Sequence, residues 1–441
     1  MRAIFLAGGA SRRMKPLTYD KNLIPFLGKP AIVYNLEVAK QGGIADFVVV
    51  VNEGNYQTFV NVLKDAKIKA EVVVQADGLK GQGGAVLAAK KYLNGPVLIC
   101  NANDFFEASL YKEVLKKTKQ KTDGILVGYK VKNYFPGGYL KLKDDQVLEI
   151  IEKPDPDKVP SEYVRIVMDY FKEGKNLANA LEKTVKSDPD RWYEDAITKL
   201  IKEQKKFTCV KYDGIWEKLK YPWHILDVTN YFLNSSFLQD KVSRNAKISP
   251  QAIIDHSTGS VQIEDGVRIF SNAVVRGPVY VGKGTLIGNG ALVRESLIGE
   301  NSIIGYNTEI ARSYIGNKCW FHTNYIGDSI LDEDISFGSG AITANLRLDE
   351  GEITSVVKGK KVPTDRVKFG AVVGSGVRIG VNAMIMPGVK VGKGSFVGSG
   401  VVLDKDLEDN KFCYVKQSQV IVENKSEKVA QSREKFLKNL K

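Results

Sequence analysis

The chain has 441 residues, 43% apolar and 26% charged, with 64 Lys and Arg against 51 Asp and Glu, a net charge of +13. That length exceeds one ordinary domain, the composition is that of a soluble globular protein, and no 18-residue apolar run exists to cross a membrane. The basic excess is dispersed along the chain, which argues against a nucleic-acid surface and favours small anionic ligands. Cys100, Cys209, Cys319 and Cys413 lie far apart with no CxxC pair, and the three histidines are scattered. Neither a zinc site nor a disulfide framework is expected, and a reducing compartment, the cytoplasm, fits. The opening MRAIFLAGGA is broken by glycine too soon for a signal peptide.

The first half alternates two periodicities. Ala3 to Ala7 reads as a short buried strand, Ala31 to Gly43 as a helix stopped by glycines, and Asp46 to Asn52 (DFVVVVN) as a strand covered on both faces. A helix near Tyr56 to Asp65, a strand Ala70 to Gln75, a helix Gly84 to Leu93 and a strand Pro96 to Asp104 follow. This rhythm predicts an α/β fold, a doubly wound, Rossmann-like sheet over residues 1–230, with ligands at the carboxyl ends of the strands.

At the first such end stands LAGGASRRMKPLTYDK. Gly8 and Gly9 carry no Cβ, so backbone N–H groups can approach a phosphate closely, and Arg12, Arg13 and Lys21 supply charge. Such a loop neutralises a triphosphate and the charge that develops as its α-phosphate is attacked. The plainer alternative is a glycine turn beside a basic surface patch. Asp104, closing VLICNAND, either holds Mg²⁺ against nucleotide phosphates or caps the next helix.

After a linker at 231–240 the period changes to six. Ile263, Ile269, Val275, Val281, Ile287 and Val293 fall six apart, Ile298, Ile304 and Ile310 continue after one register shift, and Val367, Val373, Ile379, Ile385, Val391, Val397 and Leu403 resume it. Glycine often follows the aliphatic residue. Neither a helix nor a simple strand has this beat; a coil of three short strands with one inward side chain per side does. The coil is expected over 241–410, interrupted by the lysine-rich excursion Arg347 to Lys368, and a helical tail over 411–441, with Ser426 to Lys441 amphipathic.

The opening motif, LAGG…SRRM…K…P…GKP, resembles the signature of the nucleoside-diphosphate-sugar pyrophosphorylases, and SRRM also resembles the molybdopterin guanylyltransferases. Asp20 stands where that family has Pro before its lysine, and Arg12 where Thr is usual. In both families a phosphate attacks the α-phosphorus of a nucleoside triphosphate and pyrophosphate leaves. The resemblance implies that Arg13 and Lys21 are the catalytic cations and that Leu6, Ala7, Gly8 and Gly9 hold the nucleotide. It gives Gln75 and GLKGQGGA, Gly81 within it, to base recognition, and Asp104 to nucleotide and metal. Gly138 in GGYL, and Glu152 and Lys153 in EKP, become the sugar-phosphate site, which YEDAITKLI (Tyr193 to Ile201) closes. One departure stands out: Lys218 falls where the family has a second metal-binding aspartate, with Glu217 adjacent and Asp227 nearby.

The six-residue beat resembles the hexapeptide-repeat family, which folds as a left-handed parallel β-helix and commonly assembles as trimers. Within it, FHTNYIGD (Phe321 to Asp328) resembles the acetyltransferase half of the bifunctional N-acetylglucosamine-1-phosphate uridylyltransferase/glucosamine-1-phosphate acetyltransferases. That implies His322 as the base that deprotonates a sugar amine, projecting outward because Phe321 points in. Arg294, Tyr325, Ser336 (for a family Asn) and Asn345 would form the sugar pocket, and Ser375, Gly398 and Ser399 would contact acetyl-CoA. The family's pocket lysine is missing, with Ala311 or Arg312 in its place. The excursion either covers this site and binds coenzyme A or is a solvated loop.

The resulting expectation is a two-site enzyme using a nucleoside triphosphate, a sugar 1-phosphate, acetyl-CoA and Mg²⁺, assembled as a homotrimer, with no nucleic-acid or membrane partner. Its product would be a nucleotide sugar such as UDP-N-acetylglucosamine. The alternatives are a single-function pyrophosphorylase, of the ADP-glucose or GDP-mannose kind, whose β-helix serves assembly, and a non-catalytic binding subunit.

Overall fold

A computed structural model describes residues 1–184, 188, 191–424 and 437–438. The expected amphipathic helix from Ser426 to Lys441 lies outside these residues, Leu437 and Lys438 excepted.

The amino half is built on strands β1 (Arg2–Ala7), β2 (Asp46–Asn52), β3 (Glu71–Gln75) and β4 (Val97–Asn101), which lie parallel in the order β3-β2-β1-β4. Helices α1 (Ala31–Gln41), α2 (Tyr56–Asp65) and α3 (Gly81–Ala88) cover them. Unbroken β-branched runs such as DFVVVVN form these strands because both faces are buried; Val48 to Val51 have no exposed surface. The sheet continues through β9 (Tyr163–Phe171), antiparallel to β4, and then β6 (Gly124–Lys130), β10 (Phe207–Tyr212), β8 (Gln146–Glu152) and β7 (Gly138–Lys143). The result is a nine-stranded mixed sheet.

Two local expectations shift. The strand expected to reach Asp104 ends at Asn101; after a turn, Asp104 opens β5 (Asp104–Phe106), which pairs antiparallel with β11 (Trp216–Lys218). The helix expected at Gly84–Leu93 begins at Gly81 and stops at Ala88. Its glycines are packing glycines: a Cβ on Gly83 would lie 2.8 Å from the Trp192 ring, and one on Gly84 2.4 Å from the Leu79 backbone.

The carboxyl half is a three-sided prism of parallel strands, one rung per coil, most of them two or three residues long, with Val274–Val281 and Leu292–Ile298 longer. Inward side chains from Val261 to Leu403 form one continuous apolar stack. Val367 is an exception, half exposed, because it lies in the excursion, whose ends are closed by an antiparallel bridge between Leu346 and Lys368; the beat resumes at Val373. The ladder also runs past Leu403: Phe412–Cys413 pairs with Phe396–Val397, so the start of the expected helical tail is one more rung.

The three outward columns differ. On the docked face, Tyr280, Leu297, Tyr314, Ile330 and Val372 stack in register and are buried in a cluster with Phe26, Tyr34 and Phe232 of the amino half. Helix α4 (His224–Leu233) lies in this seam. The second face carries Glu309, Tyr325 and Ile342 in register. The third carries Ile303, Trp320, Phe396 and Phe412, which remain exposed.

Candidate active sites

A cleft of about 850 Å³ opens at the carboxyl ends of β1, β2 and β4. Leu6, Gly8, Gly9, Arg12, Arg13, Lys21, Gln75, Gly81, Asp104, Gly138 and Glu152 all line it, so the expected nucleotide and sugar residues converge. Ala7 is buried in the strand behind them.

The loop after β1 is shaped by its own side chains. Ser11 adopts φ 49°, and its hydroxyl accepts from the Lys21 backbone N–H at 3.2 Å. The Asp20 carboxylate accepts from Asn22 N–H (2.8 Å) and Asn55 Nδ2 (2.9 Å). The aspartate in the usual proline position thereby folds the loop so that Lys21 turns inward. Lys21 Nζ then donates to Asn103 Oδ1 at 2.8 Å. Burial pulls its pKa below the usual lysine value, opposed by the charges of Asp104 and Asp20. Arg12 and Arg13 ride on a single 3-10 turn at the exposed lip.

Gly8 also leaves room for Gln75: a Cβ there would lie 2.0 Å from Gln75 Oε1, so the amide would have to move. Gln75 in turn donates through Nε2 to the carbonyls of Leu79 (2.5 Å) and Gly81 (3.0 Å), holding the expected base segment. Across the cleft, Gly138 pairs with Glu152, where a side chain would crowd the carboxylate at 3.0 Å. Lys153, with φ 46°, is not itself a lining residue, but its exposed ammonium lies 3.7 Å from the Glu152 carboxylate at the rim of the cleft.

Asp104 is buried, and burial raises its pKa. Asn101 Nδ2 donates to it at 3.1 Å, itself fixed by Gln82 at 2.9 Å, while Lys21 and Lys218 favour its charged form. The register β5–β11 sets Lys218 directly opposite Asp104. The Lys218 ammonium lies 4.1 Å from the Phe135 ring centroid and 4.8 Å from that of Trp216. Glu217 and Asp227 do not replace the missing carboxylate. They face another cavity with His224 and Arg366, where burial first and Asp227 second push Glu217 up to about 7, and Asp227 is paired with Arg366. Among the described residues no three His, Cys, Asp or Glu side chains converge as a metal cage. Mg²⁺ takes one or two carboxylates together with substrate phosphates and water. One buried carboxylate flanked by cations therefore fits an ion that arrives with a triphosphate, not a resident one.

Several cleft residues carry no motif signal. Arg165, buried on β9, contacts Asp169 at 2.6 Å and Glu194 at 2.9 Å and stacks on Tyr193. An Arg and an Asp four apart in the otherwise apolar YVRIVMDYF was the available clue. Lys220 has none; burial and the charges of Arg13, Lys218 and Lys153 lower its pKa.

On the β-helix, His322 is exposed at the corner between the two open faces, its backbone N–H donating to Asn324 Oδ1 at 2.8 Å. Tyr325 follows on the second face, where its hydroxyl accepts from Asn345 Nδ2 at 3.1 Å. Arg294 lies two rungs away on the same face, paired with Glu309 at 2.8 Å. Arg312 grips Asp328 through two hydrogen bonds of 2.8 and 2.7 Å, and Asn345 contacts the same carboxylate at 2.5 Å. A guanidinium thus stands at the edge of this face beside the position of the missing lysine. Gly398 and Ser399 occupy His322's corner three rungs on, about 14 Å away at the usual strand spacing. Two expected partners are elsewhere. Ser336 points from the third face beside Trp320, and Ser375 sits on the corner where Gly374 packs against the Pro16 carbonyl, because each coil turns a third of a revolution per side.

The nucleotidyl transferase family matches residues 2–236, and the bacterial transferase hexapeptide (six repeats) family matches 260–295 and 370–405. A bifunctional sugar-1-phosphate nucleotidylyltransferase/acetyltransferase of Sulfurisphaera tokodaii is 35% identical over 421 residues, 93% of this chain and 99% of that protein. The bifunctional protein GlmU of Methanococcus vannielii is 33% identical across 96% of this chain and 99% of its own length. That of Methanocaldococcus jannaschii is 33% identical across 94% and 97%.

Proposed function

This chain belongs to the family of bifunctional sugar-1-phosphate nucleotidylyltransferases/acetyltransferases, and on that premise we propose how its residues divide the two reactions. It is a transferase with both activities; the Sulfurisphaera tokodaii relative, matched over 99% of its length, carries both in its name and the Methanococcus vannielii relative is named bifunctional, which favours the two-site reading over a β-helix that serves assembly alone.

In the cleft, a sugar 1-phosphate oxygen attacks the α-phosphorus of a nucleoside triphosphate, the bond to the β-phosphate breaks, and pyrophosphate leaves. Arg13 and Lys21 stabilise the charge on the phosphoryl oxygens, with the backbone of Gly8 and Gly9 alongside. Leu6, Ala7, Gln75 and Gly81 hold the nucleotide, and Gly138, Glu152 and Lys153 the sugar phosphate. Asp104 would hold the Mg²⁺ that accompanies the triphosphate, an ion that neutralises phosphate charge. At the β-helix, His322 accepts a proton from the amine of a hexosamine 1-phosphate as nitrogen attacks the thioester carbonyl of acetyl-CoA and the coenzyme thiolate departs. Arg294 grips the sugar phosphate, Tyr325 and Asn345 orient the ring, and Gly398 and Ser399 line the pantetheine path.

The exposed apolar residues of the third face support assembly as a homotrimer through the two open faces. Substrates of this kind and four unpaired cysteines, three of them buried, support a cytoplasmic setting; among the described residues no helix is long and apolar enough to cross a membrane.

The carrying observation is the convergence of Arg13, Lys21 and Asp104 on one cleft lined by the glycine loop. The test is pyrophosphate release with four triphosphates and a panel of sugar 1-phosphates, with and without acetyl-CoA. His322→Ala should cut acetyl transfer about 10²- to 10⁴-fold and leave pyrophosphate release intact. Lys21→Ala should do the reverse. Absent acetyl transfer in the parent would return the β-helix to a purely structural role.

A further inference from the structure

The excursion that interrupts the repeats is exposed along much of its length, yet it is docked on the amino half. It leaves the coil at Asn345, whose carbonyl accepts from Phe369 N–H at 2.9 Å on the return, and projects a hairpin of Thr354–Val357 and Lys360–Pro363 towards the amino half. The hairpin is fixed from both sides. Ser355 Oγ donates to the Gly388 carbonyl at 3.1 Å, and Lys390 Nζ donates to the Val356 carbonyl, on the prism side. Ile353, Val357 and Val362 pack into the cluster of Met14, Leu219 and Trp223, and Arg366 pairs with Asp227, on the other. Its two-residue turn is Lys358-Gly359 with φ of 50° and 76°, the pattern of a type I′ turn.

That tip reaches the nucleotidyl-transfer cleft: Lys358 shares its wall with Arg13, Lys218 and Lys220. Eight basic side chains line the cleft against four acidic ones, and desolvation already weakens the protonation of Lys218 and Lys220. Lys358 is one of the eight, and its ammonium adds to the electrostatic cost of the empty cleft, which a polyanionic ligand offsets.

We propose that Lys358 is a phosphate-binding residue of the nucleotidyl-transfer site, supplied by the acetyltransferase half of the same chain. The assignment rests on the reading of the cleft given above. Its ligand is a phosphate group, either that of the sugar 1-phosphate or the pyrophosphate end of the triphosphate.

Lys358→Asn is the sharpest variant, because Asn-Gly is the preferred type I′ turn and keeps the hairpin while removing the charge. Lys360→Ala removes the same charge two residues away on the same hairpin without touching the cleft lining. Steady-state kinetics are run in both directions, at low salt and at 0.5 M salt. Lys358→Asn should raise one KM about 10- to 100-fold, the worth of a hydrogen bond to a charged group. Acetyl transfer should be unchanged, and the effect should persist at high salt, where diffuse steering is screened. A rise in KM for sugar 1-phosphate places Lys358 on the sugar phosphate. A rise for the triphosphate, and for pyrophosphate in reverse, places it on the leaving group. Equal kinetics for Lys358→Asn and Lys360→Ala overturn the assignment while leaving the cleft's function standing. A parent that neither turns over nor binds any triphosphate overturns both.

Discussion

Glu217 shows how far a single residue can depart from what its neighbours in sequence suggest. It stands beside Lys218 yet faces away from Asp104, into the cavity shared with His224, Asp227 and Arg366. Burial and the adjacent Asp227 raise its pKa from 4.5 to about 7. Between these values the folded chain takes up a proton that the unfolded chain does not, so stability falls as pH rises through that window and the full cost is present above pH 7. Glu217→Gln should therefore raise the melting temperature at pH 8.5, a gain on the order of 1–3 kcal/mol. At pH 4.5, where the parent carboxyl is itself neutral, it should change little. Calorimetric melts at the two pH values check this; equal shifts at both would contradict it. His224, buried in the same cavity with its pKa lowered to about 3, stays neutral throughout.

At the scale of elements, each coil of the prism positions a corner, and the corner that carries His322 is held by the buried Asn324 amide together with the Thr308 hydroxyl, which donates to the His322 carbonyl at 3.0 Å. Asn324 accepts from the His322 backbone and donates to the carbonyls of Gly338 and Ala341, both at 2.8 Å. Asn324→Ala takes the side-chain donor from the buried Ala341 carbonyl, at about 1–3 kcal/mol, while the Gly338 carbonyl still accepts from Ala341 N–H at 3.1 Å. It also frees the segment that aims the imidazole. Acetyl transfer should fall about 10- to 100-fold, in line with the sensitivity of catalysis to small misplacements. Pyrophosphate release, read in the same preparation, should hold, because repeat coils transmit damage mainly to their neighbours. The six-residue beat was readable because every inward position repeats one chemistry. The excursion was not, since a hairpin docked on another domain and a solvated loop share the same lysine-rich composition.

At the scale of the molecule, the prism spends one of its three faces on the amino half. The signature loop is pinned to it: Asp332 accepts from Thr18 N–H (2.7 Å) and its hydroxyl (2.8 Å), and Tyr19 donates to Glu333 at 2.8 Å. Two faces remain. On the third, Ile303 and Trp320 are exposed on neighbouring rungs, and Phe396 and Phe412 on another neighbouring pair, with Ser336 and Arg378 between them. Large apolar side chains gathered on one face in this way are normally covered by a partner. Trp320→Glu places a charge in the first pair and should shift the mass measured by light scattering from trimer to monomer. A parent that is itself monomeric would remove the assembly from the proposal.

By itself the sequence determined the local matters: the βα rhythm, the glycine loop with its cations, Asp104 beside the strand that ends at the cleft and the hexad beat, because each is a short-range pattern of side-chain size, charge and period. It also held, unread, the outward apolar column Tyr280, Leu297, Tyr314, Ile330 and Val372, one residue before each inward aliphatic. Only the tertiary structure decided where Lys218 and Glu217 point, which corner each serine occupies, and that Lys358, far along the chain from the glycine loop, stands at the same cleft. Those outcomes depend on strand register and on the docking of two domains, and contacts between residues far apart in the chain leave no periodic trace in it.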